Sequence, residues 1–284
     1  MRAVASPGRW IWGLSGLVTG AALAISGTLL ITSAGVSGDG QPPQDTVTRT
    51  VTVPQPVTSL AVQSYGASVR VTTGPVRRVQ VTETLMYDNQ AGGPPAVTES
   101  VSGGHLSLAD PGCAVADCTV SFALTVPPGR TVTAVTGGGP QTVSGTAGAN
   151  LDSGGGPVSA TRIGGPLTVS TGGGPLLLDG LAGALFADTD GGSVVARGIA
   201  AATATVTTGG GPAWIAFSAA PDTVTVSTDG GSATVTVPGG PYALIADSEG
   251  GPESAGIATA PAARRSLTVS SGGGPLQIEP PAGR

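Results

Sequence analysis

From Val132 onward the chain alternates small apolar and polar residues over short runs, breaks at a glycine corner, and alternates again. The corners read VTGGGP from 135, LDSGGGP from 151, VSTGGGP from 169, ADTDGGS from 187, VTTGGGP from 206, VSTDGGS from 226, ADSEGGP from 246 and VSSGGGP from 269. Aligning them exposes two apolar columns before the corner. One runs Val132, Ala149, Leu167, Leu185, Ala204, Val224, Leu244, Leu267; the other runs Ala134, Leu151, Val169, Ala187, Val206, Val226, Ala246, Val269. Residues two apart on a strand share a face, so both columns are expected to point inward. The pattern resumes after the corner, as in Val158 and Ala160, Leu176 and Leu178, or Leu276 and Ile278.

Each unit therefore reads as strand, glycine corner, strand. Such a unit buries its apolar face only by stacking on its neighbours, and a spacing of about 19 residues lies in the range of stacked repeats. The expected fold is all-β: a single-stranded, parallel β-helix-like solenoid of about 20-residue coils, preceded by one N-terminal transmembrane helix. Glycine is expected at the corners because reversing the chain within three residues calls for positive φ.

Composition supports strands over helices. The chain has 284 residues, with 48 Gly and 24 Pro, the poorest interior helix residues. Thr and Val between them suit a pleated, half-buried surface. A disordered chain would lack the period and carry high net charge, whereas here the net charge is −5. Every cation is Arg, adjacent only at Arg77-Arg78 and Arg264-Arg265, so there is no basic face and no nucleic-acid partner is expected.

The first 36 residues carry Arg2 and Arg9 and then no charge until Asp39. Such a run exceeds the roughly 20 residues that span a bilayer core. Arg before it, with Trp10 and Trp12 at its start, places the N-terminus in the cytoplasm and the bulk of the chain outside the cell membrane. A cleaved signal peptide, with Thr32-Ser33-Ala34 as its site, is the alternative, but its apolar core would be shorter. The expected organisation is 1–9 cytoplasmic, 10–36 transmembrane anchor in the lipid bilayer, 37–50 linker, 51–130 N-terminal β region with a disulfide loop, and 131–280 repeats.

Cys113 and Cys118 are the only cysteines. Outside the membrane they are expected to form a disulfide closing a short loop. A metal site needs three or four ligands, and the only imidazole is His105.

The CAVADCTVSFALTVPPG passage, the glycine-cornered strand repeats after it and the single N-terminal anchor together resemble a bacterial family of β-strand-repeat proteins labelled "putative adhesin", in its actinobacterial form. The resemblance covers roughly four fifths of the chain. It implies stacked short strands resembling a parallel β-helix, displayed outside the cell. No enzymatic activity and no functional residue carry over from it.

Several residues compete for a chemical role. Asp190, Asp229 and Glu249 precede glycine pairs at one corner, and with coils about 4.8 Å apart Asp229 and Glu249 would be neighbours along one edge. Their oxygens are candidate calcium ligands, although the nine-residue repeat of calcium-binding β-rolls is absent. Capping of exposed corners is the plainer role. TGGGP lacks the Lys and following helix of a phosphate loop. His105 has no nucleophile elbow beside it. The insertion ESAGIATAPAARRS, with Arg264 and Arg265, is the candidate binding segment, since insertions on stacked repeats often carry the binding face.

These features lead to a membrane-anchored surface display, adhesion or scaffold module without catalytic activity. No cofactor is expected, and the expected partner is an extracellular glycan or protein surface. An envelope-stress sensor is the alternative, followed by a carbohydrate-active enzyme on a β-helix, which would need clustered acids beside an Arg.

Overall fold

The computed structural model describes residues 27–33, 44–88, 94–112 and 118–282. All regular structure among them is strand. In chain order the strands are β1 (Gly27–Ser33), β2 (Gln44–Thr52), β3 (Ser59–Ser64), β4 (Ser68–Thr73), β5 (Gln80–Asp88), β6 (Thr98–Ser102), β7 (His105–Asp110) and β8 (Thr119–Val126). There follow β9 (Thr131–Thr136), β10 (Gln141–Ser144), β11 (Gly148–Ser153), β12 (Val158–Thr161), β13 (Leu167–Thr171), β14 (Leu176–Asp179), β15 (Leu185–Thr189) and β16 (Val194–Ile199). The last are β17 (Thr203–Thr208), β18 (Ala213–Phe217), β19 (Thr223–Thr228), β20 (Ala233–Thr236), β21 (Tyr242–Asp247), β22 (Glu253–Ala255), β23 (Arg265–Ser271) and β24 (Leu276–Glu279).

They form two large mixed sheets of 13 and 11 strands. From β9 on, odd strands belong to the smaller sheet and even strands to the larger, so the chain changes sheet at every corner. Within each sheet the repeat strands pair in parallel and in register, for example Leu167 with Leu185 and Leu176 with Val194. Both apolar columns are buried, apart from Leu244 and Ala246, which are half-buried. The inward residues of both sheets form one core.

The sheets continue across residue 130 without a break. β3 pairs in parallel with β9, and β4 with β10, so the N-terminal region supplies rungs of the same stack. The order of rungs differs from chain order at both ends. β7–β8 lies outside β3–β4, although it follows it in sequence. At the other end β23–β24 sits between β19–β20 and β21–β22: Val269 pairs with Val226 on one side and Ala246 on the other. The reason lies in the inward positions. β23–β24 offers Leu267, Val269, Leu276 and Ile278, all buried, whereas β22 puts Glu253 in register with Leu276. A carboxylate in that column is tolerable only where the stack ends in water, and Glu253 is indeed exposed.

The expected helix over 10–36 requires correction in its last part. Residues 27–33 form β1, which pairs antiparallel with β2 from Gly27↔Val51 to Ser33↔Asp45. GTLLITS is rich in β-branched residues, which favour strand over helix. No helix among the described residues is long and apolar enough to cross a membrane; residues 1–26 lie outside them. β2 likewise occupies 44–52, so strand begins within the expected linker.

The corners bear out the expected positive φ only in part. Positive φ occurs at the middle glycine of the later corners, Gly230, Gly250 and Gly273. The third glycine of each corner has ordinary φ and is required by stacking instead. A Cβ on Gly156 would lie 2.3 Å from the Gly138 carbonyl oxygen, on Gly174 2.2 Å from that of Gly156, and on Gly211 2.1 Å from that of Gly192.

Beside each corner stands a third inward column that the apolar pattern omits. It is made of hydroxyls: Ser64, Thr136, Ser153, Thr171, Thr189, Thr208, Thr228, Ser271 and Ser248, all buried. They satisfy corner backbone that water cannot reach. Ser153 Oγ accepts from Gly156 N at 2.9 Å, Thr189 Oγ1 accepts from Gly192 N at 2.9 Å, and Thr136 Oγ1 donates to the Gly139 carbonyl at 3.0 Å.

Candidate functional site

The structure separates the candidate calcium ligands. Asp190 follows β15 and Asp229 follows β19, with the Gly209 corner of β17–β18 between them. Because β23–β24 intervenes, Gly272 stands between Asp229 and Glu249, contrary to the expected adjacency. The two stand two strand spacings apart, about 10 Å, and the glycine between them offers no ligating side chain. No group of three or more metal-ligating side chains exists among the described residues. Glu249 instead takes a left-handed turn, φ 48°, its N–H donating to Asp247 Oδ1.

The insertion after β22 folds back over the end of the stack. Tyr242 N donates to the Ala258 carbonyl, Ala260 N donates to that of Tyr242, and Ile257 packs on the core. Arg265 opens β23 beside Tyr242, while Arg264 is exposed. Tyr242 is fully buried, and its hydroxyl donates to the Pro238 carbonyl at 2.6 Å. Burial raises its pKa, with Arg265 opposing and Asp222 reinforcing the rise. The two arginines thus separate: Arg265 belongs to the end closure, and Arg264 faces solvent.

Cys118 is disulfide-bonded and precedes β8; Cys113 lies outside the described residues. His105 opens β7, its Nδ1 2.9 Å from Ser59 Oγ.

Charge at inward positions marks a feature the sequence reading passed over. Arg49 shares the parity of Val47 and Val51 on β2, and Glu83 lies between Val81 and Leu85 on β5. Arg49 Nη2 donates to Glu99 Oε2 on β6 at 2.7 Å and lies 4.0 Å from Glu83 through Nη1. This pair ties one sheet to the other across the N-terminal end. Glu83 is 3% exposed, and Oε1 of both Glu83 and Glu99 has no hydrogen-bond partner. Burial raises the Glu83 pKa, Arg49 opposes that rise, and the Glu99 charge adds to it. The signal available in the sequence was a charged residue at the parity of its apolar neighbours.

Two depressions flank Tyr65, which stands at the β3–β4 corner and is 78% exposed. One, of about 570 Å³, is lined by Gln63, Thr98, Ala109, Asp110 and Val135. The other, of about 260 Å³, is lined by Ala67, Gly112, Cys118 and Val120. A third, of about 440 Å³, lies at the opposite end between Ile245, Pro261 and Thr268.

Neither a protein-family profile nor a curated protein sequence matches the chain. Its fold is similar to that of a solved "putative adhesin" from Parabacteroides distasonis ATCC 8503, at 17% identity and TM-score 0.51, covering 86% of this chain and 98% of that one. A "putative adhesin" from Bacteroides fragilis NCTC 9343 aligns at 14% identity and TM-score 0.48, covering 87% and 100%. A "putative lipid binding protein" from Parabacteroides distasonis ATCC 8503 aligns at 11% identity and TM-score 0.40, covering 87% and 99%. These organisms lend no support to the actinobacterial form of the resemblance. What the chain shares with the first is the all-β fold alone.

Proposed function

We propose that this chain is a non-catalytic β-solenoid module of the cell surface, held outside the membrane by its N-terminal segment and serving adhesion, display or scaffolding. The segment proposed as the anchor is the uncharged run that precedes β1, residues 10–26. That length is at the lower limit for a spanning helix, about 17 residues.

The observation that carries this reading is how the distinctive residues are used. Third glycines admit neighbouring backbone, inward hydroxyls cap corners, and the charges of Arg49, Glu83 and Glu99 turn into the closed end of the core. A carbohydrate-active enzyme would need an Arg beside clustered acids in a groove. Arg49 does stand beside two acids, Glu83 and Glu99, but their side chains are 3% and 7% exposed and turned into the core; Arg162 donates to Ser144 Oγ at 2.7 Å. What remains outward is a long stack with broad Thr- and Ser-rich faces, suited to multivalent contact in which density on the cell supplies avidity.

The test is to apply the purified full chain to immobilised cell-wall and host polysaccharides, scoring both retention and new reducing ends. Retention without turnover is expected. Release of reducing ends that grows with time and protein concentration would overturn the reading.

A further inference from the structure

The larger depression beside Tyr65 has the construction of a binding subsite. Its floor is the outer face of four neighbouring strands: Thr98 pairs with Ala109, Ala109 with Gln63, and Gln63 with Val135. Three strand intervals make a shelf about 14 Å long. Small Ala109 lies mid-shelf, with Val135 40% exposed at one end. The amide of Gln63 and the hydroxyl of Thr98 face outward as adaptable hydrogen-bonding groups.

Tyr65 forms the wall, and its position is fixed from two sides. Its carbonyl packs beneath Gly137, where a Cβ would come within 2.1 Å. Its side chain lies against Gly112, where a Cβ would stand 3.0 Å from Tyr65 Cβ and 3.3 Å from Cγ. An aromatic side chain that rests against backbone yet is left 78% exposed offers contact area with few torsions to order, apolar on its face and polar at its tip. Phe186 and Trp214, the other exposed aromatics among the described residues, are 46% and 44% exposed and rise from strand interiors, not from a corner.

The chemistry of the lining narrows the ligand. Asp110 is 5% exposed, and both its oxygens are engaged: Oδ2 accepts from Ser64 Oγ at 2.9 Å and Oδ1 from Gly112 N at 3.0 Å. Asp152 lies one strand beyond Val135 on the same face. The two carboxylates disfavour an anion, and no cation lines the shelf. A ligand that pairs an apolar face with many hydroxyls and no net charge fits this combination. We propose that the shelf walled by Tyr65 binds a neutral saccharide chain, one sugar ring packing on the tyrosine while its hydroxyls meet Gln63 and Thr98. This rests on the adhesion reading above and assigns it a site and a ligand class.

The test uses the purified full chain, titrated by calorimetry with neutral oligomers of glucose and of N-acetylglucosamine, and with an oligomer of glucuronic acid as the charged control. Binding of at least one neutral oligomer is expected, weakened more than about tenfold by Tyr65→Ala. Tyr65→Trp should retain it, Trp214→Ala should leave it unchanged, and Tyr65→Ala should keep its melting temperature because the ring is exposed. Equal affinity of wild type and Tyr65→Ala, preference for the glucuronic acid oligomer, or binding of none of the three overturns the proposal. If wild type and Tyr65→Ala are retained equally on the polysaccharide panel, the site fails and the adhesion reading survives. Retention of neither protein on any polysaccharide defeats the saccharide site and leaves a protein surface as the partner of the module.

Discussion

Gly191 and Gly192 are adjacent in one corner and should respond oppositely to the same substitution. A Cβ on Gly191 meets nothing within 4 Å. On Gly192 it would lie 2.1 Å from the Gly174 carbonyl oxygen, 2.6 Å from the carbonyl carbon and 2.8 Å from Thr189 Oγ1. The first distance is roughly 1.4 Å short of an ordinary contact of about 3.5 Å, and the obstacle is backbone of the neighbouring rung, which no rotamer change can relieve. Gly192→Ala must therefore push two rungs apart. Overpacking costs about 1–3 kcal/mol, and disturbing the bond from Gly192 N to Thr189 Oγ1 adds about 1 kcal/mol. A total of about 2–4 kcal/mol lowers the melting temperature by roughly 4–16 °C at 2–4 °C per kcal/mol. Gly191→Ala should change stability by less than about 1 kcal/mol, in the stabilising direction if the unfolded chain loses freedom. Thermal denaturation followed by far-ultraviolet circular dichroism measures both. Equal losses in the two variants would refute close stacking and restore chain reversal as the reason for glycine here.

The register of the core is tested by a similar pair: Val226→Asp, fully buried between Val206 and Val269, should cost roughly 3 kcal/mol or more. Thr225→Asp, on the exposed face, should cost about 0.5 kcal/mol; equal costs in chemical denaturation would mean a slipped alignment. Glu83 has a folded pKa raised above its ordinary value, so the folded state holds the proton more tightly than the unfolded chain. Its contribution is then complete below a pH of about 4.3 and is lost as pH rises through the raised value. Glu83→Gln should remove that loss and gain stability over wild type with rising pH; melting curves of the two that stay parallel from pH 4 to pH 8 would contradict this. Peptide mass spectrometry without reduction should find Cys113 joined to Cys118, and two free thiols would exclude the bridge.

Much of the candidate site was hidden in the sequence for a local reason. Tyr65 is one tyrosine in an SYGAS corner, and Thr98, Ala109, Gln63 and Val135 become a shelf only through the pairing of four strands. The Arg49, Glu83 and Glu99 group was more accessible, since Arg49 and Glu83 share the parity of buried valines. Parity says which way a side chain points but not which charge it will meet across the core.

The alternation of apolar and polar residues determined by itself that the chain is strand, which residues face inward and where it turns, because strand periodicity is a property of the backbone alone. Val132, Leu167, Val226 and their column mates are buried as their spacing requires, except Leu244 and Ala246 at the end of the stack, which are half-buried. Only the tertiary structure decided the order of the rungs. Sequence order places β21–β22 next to β19–β20, yet a buried Glu253 would cost more than an overshoot of the chain, so β23–β24 returns to fill the gap. That exchange separated Asp229 from Glu249 and turned the expected binding insertion into a cover for Tyr242. It likewise fell to the stack to decide why the third residue of each corner is glycine, since the obstacle to a Cβ there belongs to the next rung and not to the chain's own turn.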